Sequence, residues 1–307
     1  MSAEGSGLAA PDGDPGTSSA FRPLASHSGR WNRSLGTPWC VLCGHAFEAD
    51  GGDIEPRRLP CGCIACKAGA RRWLSRTLQA RGTEGGPQCW MGHAVSADEL
   101  PLERVGEFVE SLPVASVGEA TEWLRSVIFL PNDSLSKRGE AIDSGRASVR
   151  AATLTVDGNA LPVAVKEMSP MDSSFHPESE VGLALRASLQ CALVPKFYGC
   201  VKRSRALFMV MERCGGSLAD RLRGLGGKGL PLGELACSSC DISDAVAQLH
   251  ACGIVHCDVK PGNCLVRRDG RVVLTDFDAA HVRNCAGSGG TAASNDAVEA
   301  DHGPKRP

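Results

Sequence analysis

Apolar residues recur along this chain in two rhythms. Val117, Ala120, Leu124, Val127 and Ile128 return at the helical period. Ahead of them Ser116-Val117-Gly118-Glu119 has the form of a capping box, and Pro131 stops the helix behind them. Val181, Ala184, Leu185 and Leu189 make a second helical face, with Pro177 suited to its first turn. Leu235, Ile242, Val246 and Leu249 make a third, which ends at Gly253. Between these, Val163-Ala164-Val165-Lys166 alternates as a half-buried strand, and Leu207 to Met211 reads as a buried one. Asp157-Gly158 turns a strand pair, and Asp269-Gly270 turns a hairpin of Leu265-Val266 and Val272-Val273-Leu274.

Neither end of the chain has such a period. Residues 1–35 are rich in Gly, Ser, Ala and Pro, and residues 286–307 in Gly, Ala, Ser and Asn. Neither segment buries enough surface to offset chain entropy, so both are expected to be disordered tails. The length, 307 residues, predicts about two domains. A hydrophobic content of 42% supports a core, and a net charge of -2 gives no reason to expect nucleic acid or an anionic membrane as partner. No apolar run approaches the ~20 residues of a membrane span. Glu4, Asp12 and Asp14 sit where a signal or transit peptide would not tolerate them. Fifteen cysteines, six of them between Cys40 and Cys89 and the rest scattered, suit a reducing compartment better than a disulfide framework. A soluble, intracellular and cytoplasmic protein is expected.

Residues 36–102 carry metal-ligand spacing: Cys40-x2-Cys43, Cys61-x-Cys63-x2-Cys66, then Cys89 and His93. Thiolates two residues apart grip one tetrahedral zinc, because the short turn between them directs both sulfurs inward. A module this small lacks a sufficient core without such a staple. Leu59-Pro60-Cys61-Gly62-Cys63, Arg71-Arg72-Trp73-Leu74 and Ser96-Ala97-Asp98-Glu99-Leu100-Pro101 resemble segments of RING fingers. The resemblance implies two interleaved zinc sites. Cys61, Cys63, Cys89 and His93 complete one, with Cys63 in a usual histidine position and His93 one residue after the usual place, Gly92. Cys40, Cys43 and Cys66 supply the other, whose fourth position falls on Gly69; His45 is the alternative donor. One zinc is expected, and the second site is a ligand short. The resemblance also implies a ubiquitin-conjugating enzyme as partner, docked at Leu42, Trp73 and Trp90. Core packing is the competing reading of all three.

His256-Cys257-Asp258-Val259-Lys260-Pro261-Gly262-Asn263 and Thr275-Asp276-Phe277-Asp278 resemble the catalytic and metal-binding loops of protein kinases, whose common forms are HRDLKPEN and DFG. Phosphoryl transfer needs a carboxylate to orient the attacking hydroxyl, a lysine to neutralise the moving phosphate, and oxygen ligands for Mg2+. The resemblance gives Asp258 the first role, Lys260 the second, and Asn263 with Asp276 the third. Val163 to Lys166 resembles the VAIK strand, whose lysine grips ATP phosphates and pairs with a helix glutamate, here Glu180 or, one register away, Glu178. Met211, Glu212 and Cys214 resemble the hinge that holds adenine, with Ile142, Val149, Ala164 and Leu265 closing on the base. Of the three glycines in the family's phosphate loop only Gly145 remains, Asp143 and Ser148 standing at the other two. The implied fold is α+β: a kinase-like small lobe and an incomplete helical large lobe over 138–285. A helical connector over 103–137 precedes it, docked on the small lobe or on the RING-like module.

Lys260-Pro261 favours the serine/threonine class, so the expected function is ATP-dependent phosphorylation of a protein substrate. The rivals are a pseudokinase scaffold with a ubiquitin-ligase role and a zinc-dependent adaptor. Cys257 stands where many kinases carry an arginine, and a thiol cannot make that residue's bidentate pair with an activation-loop phosphate. Asp278 replaces the glycine of DFG and restricts the backbone there. Residues 279–307 hold no Ala-Pro-Glu segment and no helices beyond it. An exposed apolar face on the helix ending near Cys252 is therefore expected; a covering partner, a fragment of a longer chain and an unstable lobe are the open explanations.

Overall fold

The computed structural model describes residues 37–49, 52–79, 88–95, 102–136, 139, 141–143, 149–168, 176–203 and 206–283. Both expected tails, the segment from Ser96 to Pro101, and Gly145 with Ser148 lie outside them. The chain begins with a hairpin, β1 (Pro56–Arg58) and β2 (Ile64–Cys66), which runs straight into α1 (Lys67–Gln79). Next come α2 (Val105–Ser111) and α3 (Val117–Ile128). The turn between them lays an extended stretch along β1: the Ala115 N–H donates to the Pro56 carbonyl and the Arg58 N–H to the Pro113 carbonyl. Arg57 is buried beneath this stretch and donates to the carbonyls of Leu112 and Glu110. The capping box forms as expected, with the Glu119 N–H on Ser116 Oγ and the Ser116 N–H on Glu119 Oε2. The same Glu119 also takes Arg58 at 2.5 Å, so the cap ties α3 to β1.

α3 ends at Ile128, three residues before Pro131. Phe129 then makes a parallel bridge with Cys200, and the Leu130 N–H donates to the Cys200 carbonyl. The extended chain that follows lies over a five-stranded antiparallel sheet of β3 (Ala141–Asp143), β4 (Val149–Val156), β5 (Asn159–Met168), β6 (Phe197–Arg203) and β7 (Ala206–Glu212), ordered β3-β4-β5-β7-β6. Strand alternation sorts the side chains. Val163, Val165, Phe208 and Val210 point to an outer core closed by Leu130 and Leu135. Met168, Leu207 and Met209 point inward to the main core. Trp123 of α3 meets Trp90 edge-on at 6.4 Å, so the connector touches both the zinc-type module and the sheet.

The main core runs without a break from Trp39 to Phe277. α4 (Glu180–Gln190) lies in it, buried along most of its length. Its cap is Ser179, which accepts the Gly182 N–H; Pro177 precedes the cap instead of occupying the first turn. A β-carbon on Gly182 would stand 2.4 Å from the His176 carbonyl, and that close crossing fixes where the helix begins. The large lobe holds α5 (Leu218–Gly224), α6 (Leu232–Ala251), β8 (Ile254–Val255), the hairpin β9 (Cys264–Val266) and β10 (Val272–Leu274), and β11 (His281–Val282), which pairs with β8. On α6 the expected face is only partly buried. Leu249 is covered and Ile242 and Val246 are half-covered, but Leu235 is 48% and Leu232 81% exposed.

Gly199 is where connector and sheet meet. Its φ is +139°, and an added β-carbon would lie 2.8 Å from Leu130 Cγ and 3.0 Å from the Ile128 carbonyl. Gly199→Ala should destabilise the chain by about 1–3 kcal/mol, read as a lower urea midpoint.

Candidate active site and metal-binding module

Lys166 lies on the inward face of β5, between Ala164 and Met168. The Lys166 ammonium reaches Glu180 Oε1 on α4 at 2.5 Å and Asp276 Oδ1, after β10, at 3.0 Å. Three segments distant in sequence therefore meet at one nitrogen, and Glu180, not Glu178, is the helix glutamate. The Lys166 and Glu180 side chains are 12% and 6% exposed. Burial works against the ammonium, yet Glu180 and Asp276 outweigh it and hold the Lys166 pKa above the ordinary lysine value. Burial also raises the Glu180 carboxyl; Lys166 opposes that rise, while Asp276 and Asp278 add to it.

The loop between β8 and β9 carries the second cluster. Asp258 Oδ2 accepts from Lys260 Nζ at 2.5 Å and from Asn263 Nδ2 at 2.9 Å. The hydrogen bond from Lys260 is the leading cause that holds the Asp258 carboxyl below its usual range. Asn263 Nδ2 also donates to the Asp258 backbone carbonyl, which leaves the amide oxygen as the end able to bind a cation. The Thr275 N–H donates to the Asn263 carbonyl and sets Asp276 beside Asn263. His256 is buried against Phe277, with ring centres 5.3 Å apart. A neutral His256 with its proton on Nε2 donates to the Thr275 carbonyl at 3.0 Å, and Nδ1 accepts the Asp258 N–H. Asp276 takes a left-handed φ of 70°, and Cys257 one of 61°. Asp278 has no positive φ and is exposed, so the backbone restriction expected of it does not arise.

The wall of the cleft follows from β7. The Glu212 N–H donates to the Lys196 carbonyl, and its carboxylate is taken by Arg267 at 2.9 Å. Arg267 also donates to the carbonyls of Ala192 and Val194, so it clamps the β7 end to the loop before β6. No pattern in the sequence singled out Arg267, which reads there as one more polar residue beside a turn. Gly215 and Gly216 exchange backbone hydrogen bonds with Val266, and Ser217 bridges Leu265. Val149, Ala164, Met211, Cys214 and Leu265 are half-covered, and Ile142 is 43% exposed.

In the N-terminal module the ligand atoms of Cys61, Cys63, Cys89 and His93 all lie within 4.8 Å of one another, and so do those of Cys40, Cys43 and Cys66. One group of four and one group of three side chains that could hold a metal ion are thus present among the described residues. In the first set the Cys61 thiol falls to about 2, chiefly through hydrogen bonds from Cys63 and Cys89, while Cys63 and Cys89 are pushed up. In the second set Cys43 rises to about 12, mainly through Cys40, and Cys66 rises as well. Crowded sulfurs that cannot all ionise are what a divalent cation relieves. His45 is exposed and belongs to neither group, so it is not the missing donor. Every described cysteine is free. Leu42 and Trp90 are buried, Leu42 with its carbonyl taken by Gln190 of α4, and half-buried Trp73 donates to the Gln88 carbonyl. Core packing therefore accounts for Leu42 and Trp90. Among the described residues no helix is long and apolar enough to cross a membrane.

Two outcomes test this geometry. Lys166→Met strands Glu180 as a buried carboxylate and should lower stability by about 3 kcal/mol at neutral pH. Glu180, whose folded pKa is already raised, then takes up a proton more readily than in the unfolded chain, so the deficit should shrink as pH falls through the carboxylate range. Burial holds His256 below its ordinary 6.5. Its stabilising share is complete above that value and is lost as pH falls toward the folded pKa, because the unfolded chain binds the proton first. His256→Gln keeps an Nε donor and should flatten the dependence of melting temperature on pH below about 6.5.

Comparison with known proteins agrees with this arrangement. Curated relatives include the E3 ubiquitin-protein ligase KEG of Arabidopsis thaliana, 32% identical over 123 residues, which are 39% of this chain and 7% of that protein. The serine/threonine-protein kinase WAG1 of Arabidopsis thaliana is 30% identical over 122 residues, 39% of this chain and 25% of WAG1. The serine/threonine-protein kinase dst4 of Dictyostelium discoideum is 28% identical over 145 residues, 47% of this chain and 29% of dst4. The chain therefore spans less than a third of the length of each of these relatives. The sequence model of the protein kinase domain matches residues 140–294, just over half of the chain, and the chain accordingly belongs to the protein kinase family.

Proposed function

We propose that this chain transfers the terminal phosphoryl group of magnesium-ATP to serine or threonine hydroxyls of a protein substrate. The observation that carries the reading is the single ammonium of Lys166 held between Glu180 and Asp276, beside the Asp258, Lys260 and Asn263 cluster. In that frame Lys166 binds the inner phosphates, and Asn263 and Asp276 supply oxygens for Mg2+, which would bridge and neutralise the phosphates. Asp258 accepts the hydrogen bond of the incoming hydroxyl, and Lys260 meets charge on the moving group. Met211, Glu212 and Cys214, with Ile142, Val149, Ala164 and Leu265, form the adenine end, and Gly145 is the glycine assigned to the phosphate loop. Cys257 takes no part in phosphate pairing; its thiol stands 3.4 Å from His281 Nδ1. The kinase unit spans 138–285, after a connector over 103–137 and a module over 36–102 that holds zinc through Cys61, Cys63, Cys89 and His93.

A second reading, a scaffold that recruits ubiquitin machinery, draws support from the name of one relative, an E3 ubiquitin-protein ligase, and from the cysteine groups. It is the weaker of the two. Gln190 of the kinase helix already holds the Leu42 carbonyl, and Trp90 packs on Trp123, so a conjugating enzyme would need another face of the module.

Asp258→Asn should cut phosphorylation of a generic protein substrate by about 10²–10⁴ while leaving the thermal shift with magnesium-ATP intact. Lys166→Met should remove both. A wild-type chain that gains no stability from magnesium-ATP would sink the kinase reading.

A further inference from the structure

Arg186 of α4 is 1% exposed, deeper than the other buried charges Arg57 and Glu180 at 8% and 9%. Its Nη2 donates to the Cys252 carbonyl at 3.3 Å, but Nε and Nη1 have no hydrogen-bond partner. A guanidinium stays charged at any physiological pH, and a charge buried without a counter-charge is strongly unfavourable. Those two nitrogens are donors open to an anion. The guanidinium lies against the turn from Cys40 to Gly44: a β-carbon on Gly44 would sit 3.0 Å from Nη1 and 3.3 Å from Cζ, so only glycine leaves it room. Two of the three clustered sulfurs, those of Cys40 and Cys43, belong to that turn. Burial depresses the Arg186 pKa, and Cys43 and Cys40 lead the attractions that oppose it, ahead of Cys252 and exposed Glu178.

The same cluster has an unbalanced charge of its own. Gly69 closes the fourth position: a β-carbon there would lie 2.9 Å from Cys40 Sγ and 3.3 Å from Cys66 Sγ, leaving no space for a ligating side chain. Three thiolates around one Zn2+ carry one net negative charge, and Cys40 and Cys66 are fully buried. With zinc bound, that surplus negative charge would sit at the turn against which the Arg186 guanidinium lies. We propose that Cys40, Cys43 and Cys66 bind a zinc ion as a three-thiolate centre whose counter-cation is Arg186, so that metal in the module holds α4, and with it Glu180, in place. Gln190, one turn beyond Arg186, donates to the Leu42 carbonyl at 3.0 Å, so two side chains of α4 grip the same turn. Linkage then runs both ways: what loosens the metal loosens the helix, and the reverse.

The inference rests on reading the module as a zinc binder, and the test separates the two. Zinc content and chelator competition are measured on the full chain, with hydrogen exchange over residues 180–190. Two zinc ions are expected, one released before the other, with Cys43→Ser abolishing the weaker site alone. Arg186→Met should weaken that site by about 10–100-fold and leave the tighter one unchanged, while Arg186→Lys retains most of the affinity. Stripping the weaker zinc from the wild type should speed exchange in α4. A single zinc that survives Cys43→Ser would overturn the three-thiolate centre but not the module, whereas no zinc at all would overturn both. Two ions whose affinities and α4 exchange ignore Arg186→Met would overturn the counter-cation role. Should Arg186→Met fail to fold, Arg186→Lys and the stripped wild type decide.

Discussion

The placement of one ammonium governs this molecule. Lys166, Glu180 and Asp276 belong to a strand, a helix and a loop that share no local contact, yet their polar atoms lie within 3.0 Å of the same nitrogen. A buried ion pair of this kind does little for net stability, since desolvation consumes most of the Coulombic gain. Its effect is positional: any shift of α4 or of the loop after β10 leaves a charge unpaired in the core. Two carboxylates against one ammonium also leave a surplus negative charge, and Asp278 lies close enough to raise the Glu180 pKa further. Such a site favours a divalent cation, which is how a cleft lined by acids can take in an anionic nucleotide.

Local strain supports the same frame. Asp276 and Cys257 both adopt left-handed backbone without being glycine, at a cost on the order of 1 kcal/mol each. Asp276 is over-determined by its neighbours: Thr275 is held through its N–H by Asn263 and through its carbonyl by His256, and Asp276 itself by Lys166. The strain sits on the residues that flank the reacting groups, where a fixed geometry is worth more than a relaxed one.

Patterns spanning several residues were legible in the sequence, and single buried charges were not. The capping box at Ser116, the alternation of Val163 to Lys166 and the β9–β10 hairpin each rest on repeated local signals that packing then reinforced. α2 escaped notice because seven residues with only Val105 and Val109 buried are too short to display a period. Arg57, Arg186 and Arg267 escaped for another reason. An isolated arginine reads as a solvated residue, and only tertiary structure shows which carbonyls and carboxylates converge on it. The sequence reads the connector as a helix docked on the small lobe or on the RING-like module, but nothing local marks Leu130 and Leu135 as part of another element's core. A boundary drawn at 138 therefore divides residues that pack together.

The departures from the family pattern look alike in sequence but differ in consequence. The sequence reads Asp278 as a restricted backbone, yet the left-handed residue is Asp276, and Asp278 is exposed without a positive φ. Cys257 gives up a phosphate-binding guanidinium without disturbing Asp258, whose carboxylate is fixed by Lys260 and Asn263 from within its own loop. Both substitutions thus fall on groups that sense or adjust the site, while the groups that would meet phosphate, metal and hydroxyl remain in register. Among the segments held from outside the kinase lobe is α4, whose Gln190 takes the Leu42 carbonyl and whose buried Arg186 lies against Gly44. Because Glu180 opens that helix, whatever fixes its far end sets the distance on which the whole site depends.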